Sequence, residues 1–263
     1  MSRPLRLALA ALLLGAAGCL APGIPAVHPM TALTEPAGSK QVAQTLGYAA
    51  APGAGLGDSV IPGTPYTEGE LRYAPAAGLE LTAGIDIAFQ HYFLPWPGAL
   101  ALGSKVTVFQ NDDLAVALAP RVVGASAFNL ISGKSNTTFG TRELGGELPV
   151  LLTHRFPNEL ALTGSAWGRY YGLKQEDAVD RTVTGGGSGA GTGALSTSSG
   201  HTWAAGGALL FSFPKIHHSP TRYHLFLGVE RLWLTQTGAS TQTPFVQLAR
   251  TSLTVGVGST GPW

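Results

Sequence analysis

The sequence predicts an all-β protein: an antiparallel up-and-down transmembrane β-barrel of about ten strands over residues 41–263. Three observations predict it. Apolar residues alternate with small or charged ones at period two through ten separate segments, and no convincing helical periodicity competes with them. Charged residues make up 12% of the chain, about half the usual share. That is too few to cover a soluble sandwich that hides its large side chains. Short and long connections alternate along the chain, as expected when one end of a barrel carries tight turns and the other carries loops.

The chain opens on a basic start, Met1 to Arg6, then an uncharged run from Leu7 to Ala17, then Gly18-Cys19. A charged beginning, a short apolar stretch and a small-residue exit mark an export signal, here residues 1–18. The run is too short to span a bilayer, which takes ~20 apolar residues. Ala16-Ala17-Gly18-Cys19 resembles the lipobox of bacterial lipoprotein precursors, with Ala16 where that family usually has Leu. The resemblance implies cleavage before Cys19 and acylation of its thiol. Leu20 follows, with no Asp to resemble an inner-membrane retention signal. Residues 19–40 then read as a flexible Pro/Ala/Thr-rich tether between the lipidated cysteine and the fold.

Ten strands follow. Gln41–Ala49 carries Val42, Leu46 and Tyr48 on one face. Tyr66–Ala74 alternates Leu71 and Tyr73 with Glu70 and Arg72. Gly78–Gln90 sets Leu79, Leu81, Ala83, Ile85 and Ile87 against Glu80, Thr82, Gly84 and Asp86. Ala99–Gln110 puts Leu100, Leu102, Val106 and Val108 opposite Gly103, Lys105 and Thr107. Leu114–Ala125 opposes Leu114, Val116, Leu118 and Val122 to Ala115, Ala117, Ala119 and Arg121. Phe139–His154 carries Leu148, Val150 and Leu152, with Pro149 expected at a bulge or an edge. Glu159–Leu173 alternates Leu160, Leu162, Gly164 and Ala166 with Thr163, Ser165, Trp167 and Arg169. Thr202–Phe213, Tyr223–Thr235 and Phe245–Gly258 complete the set.

Small and charged residues share one face and large aliphatics the other. A lipid-facing barrel turns the aliphatic face outward and the polar face to the lumen. The expected lumen charges are Glu70, Arg72, Glu80, Asp86, Lys105, Arg121, Arg169, Glu230 and Arg250, of mixed sign so that neighbours can pair. Pro75–Ala77, Asn111–Asp113 and Arg155–Asn158 read as tight turns. Ala50–Pro65, His91–Gly98, Phe128–Thr138, Lys174–His201 and Gln236–Pro244 read as longer loops, and Pro214–Arg222 is of medium length. An even strand number places both chain ends on the periplasmic side. Aromatics gather near strand ends, as in interfacial girdles.

On these features residues 40–263 resemble bacterial outer-membrane β-barrel proteins, in pattern rather than through a named motif. Such proteins often end in an aromatic, and Trp263 is terminal here. Gly258 to Trp263 does not read as a strand ending, because Pro262 interrupts it.

Composition narrows the function. Without Arg3 and Arg6, the 16 Lys and Arg fall to 14 against 15 Asp and Glu, which leaves no footprint for nucleic acid. A single cysteine cannot form an internal disulfide. Gly133-Lys134-Ser135 has the end of a phosphate-binding loop, but Phe128 stands where its first glycine is needed and no helix follows. Gly185–Gly200 reads as a flexible outer loop. His217, His218 and His224 match no zinc spacing, and Asn136-Thr137-Thr138 is a sequon only by its letters. Ser165, His154 and Glu159 fall near one hairpin, His201 and Ser212 near another, without a catalytic motif. We therefore assign no catalytic residue, metal ligand or cofactor. The expected partner is membrane lipid, and protein partners are not legible. The leading function is a structural or narrow-pore outer-membrane barrel. The alternatives are a periplasmic lipoprotein with a closed soluble barrel holding an apolar ligand, and a barrel-borne hydrolase.

Overall fold

The computed structural model describes residues 30–50, 64–88, 96–130, 137–179, 194–214, 220–238 and 246–263, and no helix occurs among them. The strands are β1 (Lys40–Ala50), β2 (Thr64–Ala76), β3 (Leu79–Ala88), β4 (Trp96–Gln110), β5 (Leu114–Leu118), β6 (Arg121–Leu130), β7 (Thr137–Arg155), β8 (Ala161–Val179), β9 (Ala194–Ser212), β10 (Arg222–Gly238) and β11 (Val246–Pro262). β5 and β6 are two halves of one stave, both lying between β4 and β7. Every stave pairs antiparallel with its chain neighbours, and β1 pairs with β11, with Thr45 opposite Gly258. The result is a closed ten-stave barrel, which removes every sheet edge.

Two prolines mark the break in the β5/β6 stave. Pro120 follows Leu118 by two residues, and Pro149 lies on β7 between the pairs Leu118–Val150 and Arg121–Glu147. Neither proline has an N–H to give the ladder. The carbonyls still serve: Ser104 donates to Pro120 O at 3.0 Å and Ala119 to Pro149 O at 2.9 Å.

The tight connections share one end of the barrel with Lys40 and Trp263. At the β2–β3 hairpin the turn is Ala77–Gly78, one or two residues later than expected, with Gly78 at φ 80. Pro75 is carried in β2 by a register shift between Tyr73 and Ala76, the kind of irregularity that tolerates proline. At the β4–β5 turn the Asn111 side chain accepts from Asp113 N (3.0 Å) and Leu114 N (2.7 Å), which closes the turn locally.

Three expectations change. β11 continues past Gly258 to Pro262, because Gln41 to Thr45 of β1 pair with Gly258 to Pro262. Beyond Thr260 the strand no longer pairs with β10, so Pro262 is paired on its β1 side alone, opposite Gln41. β8 and β9 extend the Lys174–His201 region upward, pairing Lys174–Val179 with Ala194–Ser199. The Gly/Ser/Thr composition of Gly185–Gly200 therefore includes strand from Ala194 onward, and residues 180–193 lie outside the described ones. Lastly, the tether expected over residues 19–40 is described from Met30, and its first described residues, Met30 to Leu33, are packed inside the barrel, as set out below, while Pro36 to Gly38 are exposed.

The outside of the barrel is aliphatic: Leu102 is 67% exposed, and Leu46, Leu100, Val122, Leu144, Leu227, Val255 and Val257 lie on the same outer face. Tyr73, Phe109, Phe211, Phe213, Tyr223 and Trp263 form an exposed aromatic rim at the turn end, and Tyr170, Trp203 and Trp233 a second rim toward the loops. The last three sit on directly paired positions of β8, β9 and β10, with Tyr170 and Trp203 rings 4.5 Å apart. From Tyr223 to Trp233 is about 33 Å along the strand at ~3.3 Å per residue. With a strand tilt near 40° that is about 25 Å of height, the size of an outer-membrane apolar band.

Candidate functional site

The site is the lumen. Glu70, Arg72, Glu80, Asp86, Lys105, Arg121, Arg169 and Glu230 are all buried, Arg121 to 4% exposure. Arg250 falls among side chains outside the described ones, as does Cys19. Charges withdrawn from water need counter-charges and hydrogen bonds, and three groups take in all of these residues except Asp86.

Glu70 on β2 sits between two arginines. Arg72 Nε donates to Glu70 Oε1, and Arg121 Nη2, reaching from β6, donates to Glu70 Oε2. Arg121 Nη1 also lies 3.6 Å from Glu68 Oε1 and 3.9 Å from Glu147 Oε1. Tyr171 donates to Glu147 Oε2 at 3.3 Å. In the second group, Arg169 of β8 pairs with Glu230 of β10, Nε to Oε2 at 2.5 Å, and Trp167 Nε1 donates to the same oxygen at 2.9 Å. The Arg169 guanidinium lies 5.8 Å over the Tyr171 ring, a cation–π contact. The third group is the ion pair of Lys105 with Glu80, directly opposite each other on β4 and β3.

Lys105 has a second task. Its Nζ donates to Leu33 O at 2.7 Å and Thr31 O at 3.2 Å. The segment before β1 therefore lies within the barrel. Ala32 N donates to Thr153 Oγ1 (2.8 Å), Thr107 Oγ1 donates to Ala32 O (3.1 Å), and Thr34 N donates to Gln110 Oε1 (2.8 Å). Met30, Ala32 and Leu33 are buried against Ala115, Ala117, Ala119 and Leu151. The small side chains of β5 leave room for this segment along the wall.

Aromatic rings fill much of the remaining lumen. Tyr66, Trp167 and Phe226 are buried in one cluster with Leu210. Each ring covers a glycine in the directly paired position: Tyr66 over Gly47, Trp167 over Gly206, Phe226 over Gly256. A Cβ at any of these glycines would be in hard contact with the ring; at Gly206 it would lie 2.5 Å from Trp167 Cζ2. At Gly145, which pairs with Tyr171, a Cβ would meet the Tyr170 carbonyl oxygen before the Tyr171 ring.

The residues weighed for hydrolysis do not assemble. His154 is exposed and stacks edge-on against Phe156, with ring centroids 4.5 Å apart. Ser165 instead lies toward the Ala208 carbonyl, at 3.4 Å, and Glu159 is an exposed turn residue. His201 packs beside Tyr170 at 5.9 Å. Ser212 does contact a histidine, but it is His224: Nδ1 at 2.9 Å, with Thr260 Oγ1 3.0 Å from Nε2. Both ring nitrogens are thus engaged by hydroxyls, and no carboxylate orients the ring. Among the described residues no group of three or more His, Cys, Asp and Glu could hold a metal. His217, His218, Gly133 to Asn136 and Gly185 to Gly193 lie outside the described residues.

Sequence reasoning missed several lumen residues. Glu68 shares the parity of Glu70 and Arg72, and Glu147 the parity opposite Leu148 and Val150, so both were available from the alternation. The inward aromatics Tyr66 and Tyr171 were not, because an aromatic in a strand fits either face. Nor does any pattern announce that Thr31 to Thr34 lie inside.

No protein-family model matches this chain, and no curated protein matches it in sequence. Among solved structures it is similar to the outer membrane protease OmpT from Escherichia coli, at 7% identity and a TM-score of 0.49, over 90% of this chain and all of that one. It is also similar to a major outer membrane protein from Thermus thermophilus (11% identity, TM-score 0.36, 86% of this chain and all of that one). A third is the translocator domain of the autotransporter NalP from Neisseria meningitidis (14% identity, TM-score 0.40, 84% of this chain and 88% of that one). The likeness is one of fold.

Proposed function

We propose that the protein is a bacterial outer-membrane β-barrel of the structural or narrow-pore kind, with its turn end and N-terminus in the periplasm. One observation carries the reading: large aliphatic side chains cover the outside between two aromatic rims, while the ionic residues lie in the lumen. That polarity is the reverse of a water-soluble barrel. A soluble barrel with an apolar ligand inside needs its aliphatics in the lumen, where this chain keeps Arg121, Arg169 and the buried glutamates of the groups described above. Buried ion pairs along the inner wall, inward aromatic rings and the inserted segment favour a narrow or closed path over a wide aqueous channel. Acylation of Cys19 is part of the proposal and adds an anchor on the turn side.

The test is membrane fractionation followed by heat-modifiable gel migration. A folded barrel that stays with the outer membrane and shifts on boiling supports the reading. Release as a soluble protein by salt overturns it. Labelled fatty acid incorporated by the native chain but not by Cys19→Ser supports the anchor; equal labelling, or none in either, removes it.

A further inference from the structure

The segment Met30–Glu35 is held differently from the strands that follow it. The ladder of main-chain bonds begins at Gly38, whose N–H donates to Ala74 O at 2.7 Å, and continues through Ser39 into β1. Before that point, the wall addresses the segment through side chains. Thr153, Thr107, Gln110 and Lys105 together contact the Ala32 N–H and carbonyl, the Thr34 N–H and the carbonyls of Thr31 and Leu33. Thr34 adds a hydroxyl bond to Gln110 Oε1 at 2.7 Å. This is how a groove holds an extended peptide: polar groups read the main chain, and pockets select alternate side chains. The space around Ala32 is small. Ala32 is fully buried against Ala115, Ala117 and Ala119, so a larger side chain at that position has nowhere to go.

We propose that the inner wall formed by β4, β5 and β7 is a binding site for an extended peptide with a small residue at its centre, and that this chain fills the site with its own residues 30–35. The recognition is mostly of main chain. An exogenous extended peptide with alanine, glycine or serine at the Ala32 position is therefore a competent ligand once the resident segment is displaced. The inference concerns only the barrel interior and does not need the membrane assignment. Heat-modifiable migration of every sample separates a failure of the site from a failure of the barrel.

The experiment uses full-length protein folded in detergent and a fluorescein-labelled peptide with the sequence of residues 30–35. Ala32→Trp places a side chain too large for the pocket in the resident segment and leaves the site open. The labelled peptide then binds Ala32→Trp at least about tenfold more tightly than the native chain, and Thr153→Val with Lys105→Met in the same background removes that gain. Binding no better than to the native chain, or binding indifferent to Thr153 and Lys105, overturns the proposal. Should Ala32→Trp fail to fold, a disulfide between Ala32→Cys and Ala117→Cys, in a Cys19→Ser chain, reads the same exchange. Excess peptide lowers the cross-linked fraction if the segment is exchangeable; an unchanged fraction, or no cross-link at all, overturns it.

Discussion

Lys105 holds the carbonyl of Leu33 at 2.7 Å while its ammonium is paired with Glu80. One buried cation therefore serves both the barrel wall and the segment that enters the lumen. Both partners are almost wholly removed from water, so neither can be deleted without consequence for the other.

Lys105→Met leaves Glu80 without its counter-charge and releases two carbonyls of the inserted segment. We expect a loss of about 3–5 kcal/mol, typical of a buried pair with one partner removed. Urea unfolding of the refolded barrel in lipid vesicles, followed by tryptophan emission, measures it. Glu80→Gln added to Lys105→Met recovers part of the loss. A single-variant loss under about 1 kcal/mol would mean that water reaches Glu80.

Arg169 and Glu230 form the second test, because Trp167 reports on them directly through its bond to Glu230 Oε2. Arg169→Met and Glu230→Gln each destabilise by about 3–5 kcal/mol, and the double variant by less than their sum. The single variants also shift Trp167 emission. Additive losses would show that the two side chains do not act as a pair.

Gly206 and Gly164 separate packing from backbone effects. A Cβ at Gly206 meets the Trp167 ring and, at 2.6 Å, the Val229 carbonyl oxygen, whereas a Cβ at Gly164 meets nothing within 4 Å. Gly206→Ala therefore costs about 1–3 kcal/mol through overpacking, and Gly164→Ala stays within about 0.5 kcal/mol of the native chain, as open surface positions do. The same urea series compares them. Equal effects would place both Trp167 and the Val229 carbonyl away from Gly206.

Depth along β10 tests the outward face. Leu227 lies one residue from the midpoint between Tyr223 and Trp233 on that strand. Leu227→Arg costs about 2–4 kcal/mol in a bilayer, and Tyr223→Arg at the rim only about 0–1 kcal/mol. A water-bathed barrel would show no such gradient.

Much of the barrel was legible because its signal is local. In Gly78–Gln90 the large aliphatic residues alternate with charged and small ones and so declare both faces, and ten extended segments with alternating short and long connections leave few topologies. The difficulties arose where the pattern carries no polarity. Ala194 to Gly200 is Gly/Ser/Thr-rich and strand-forming only because β8 and β10 lie beside it. Gly258 to Pro262 extends β11 because β1 offers it partners. Pro149 made sense only beside Pro120, on the neighbouring stave.

By itself the sequence determined the fold class and the separation of an aliphatic from a charged face, and put the strand number at about ten, because a strand's period of two acts residue by residue; closure by the β1–β11 pairing fixed the count. Tertiary structure alone decided which charges meet across the lumen, which glycine each aromatic covers, and that Thr31 to Thr34 lie within the barrel. Those are contacts between residues far apart in the chain, set by how the closed wall brings staves face to face. No short window of sequence contains both partners.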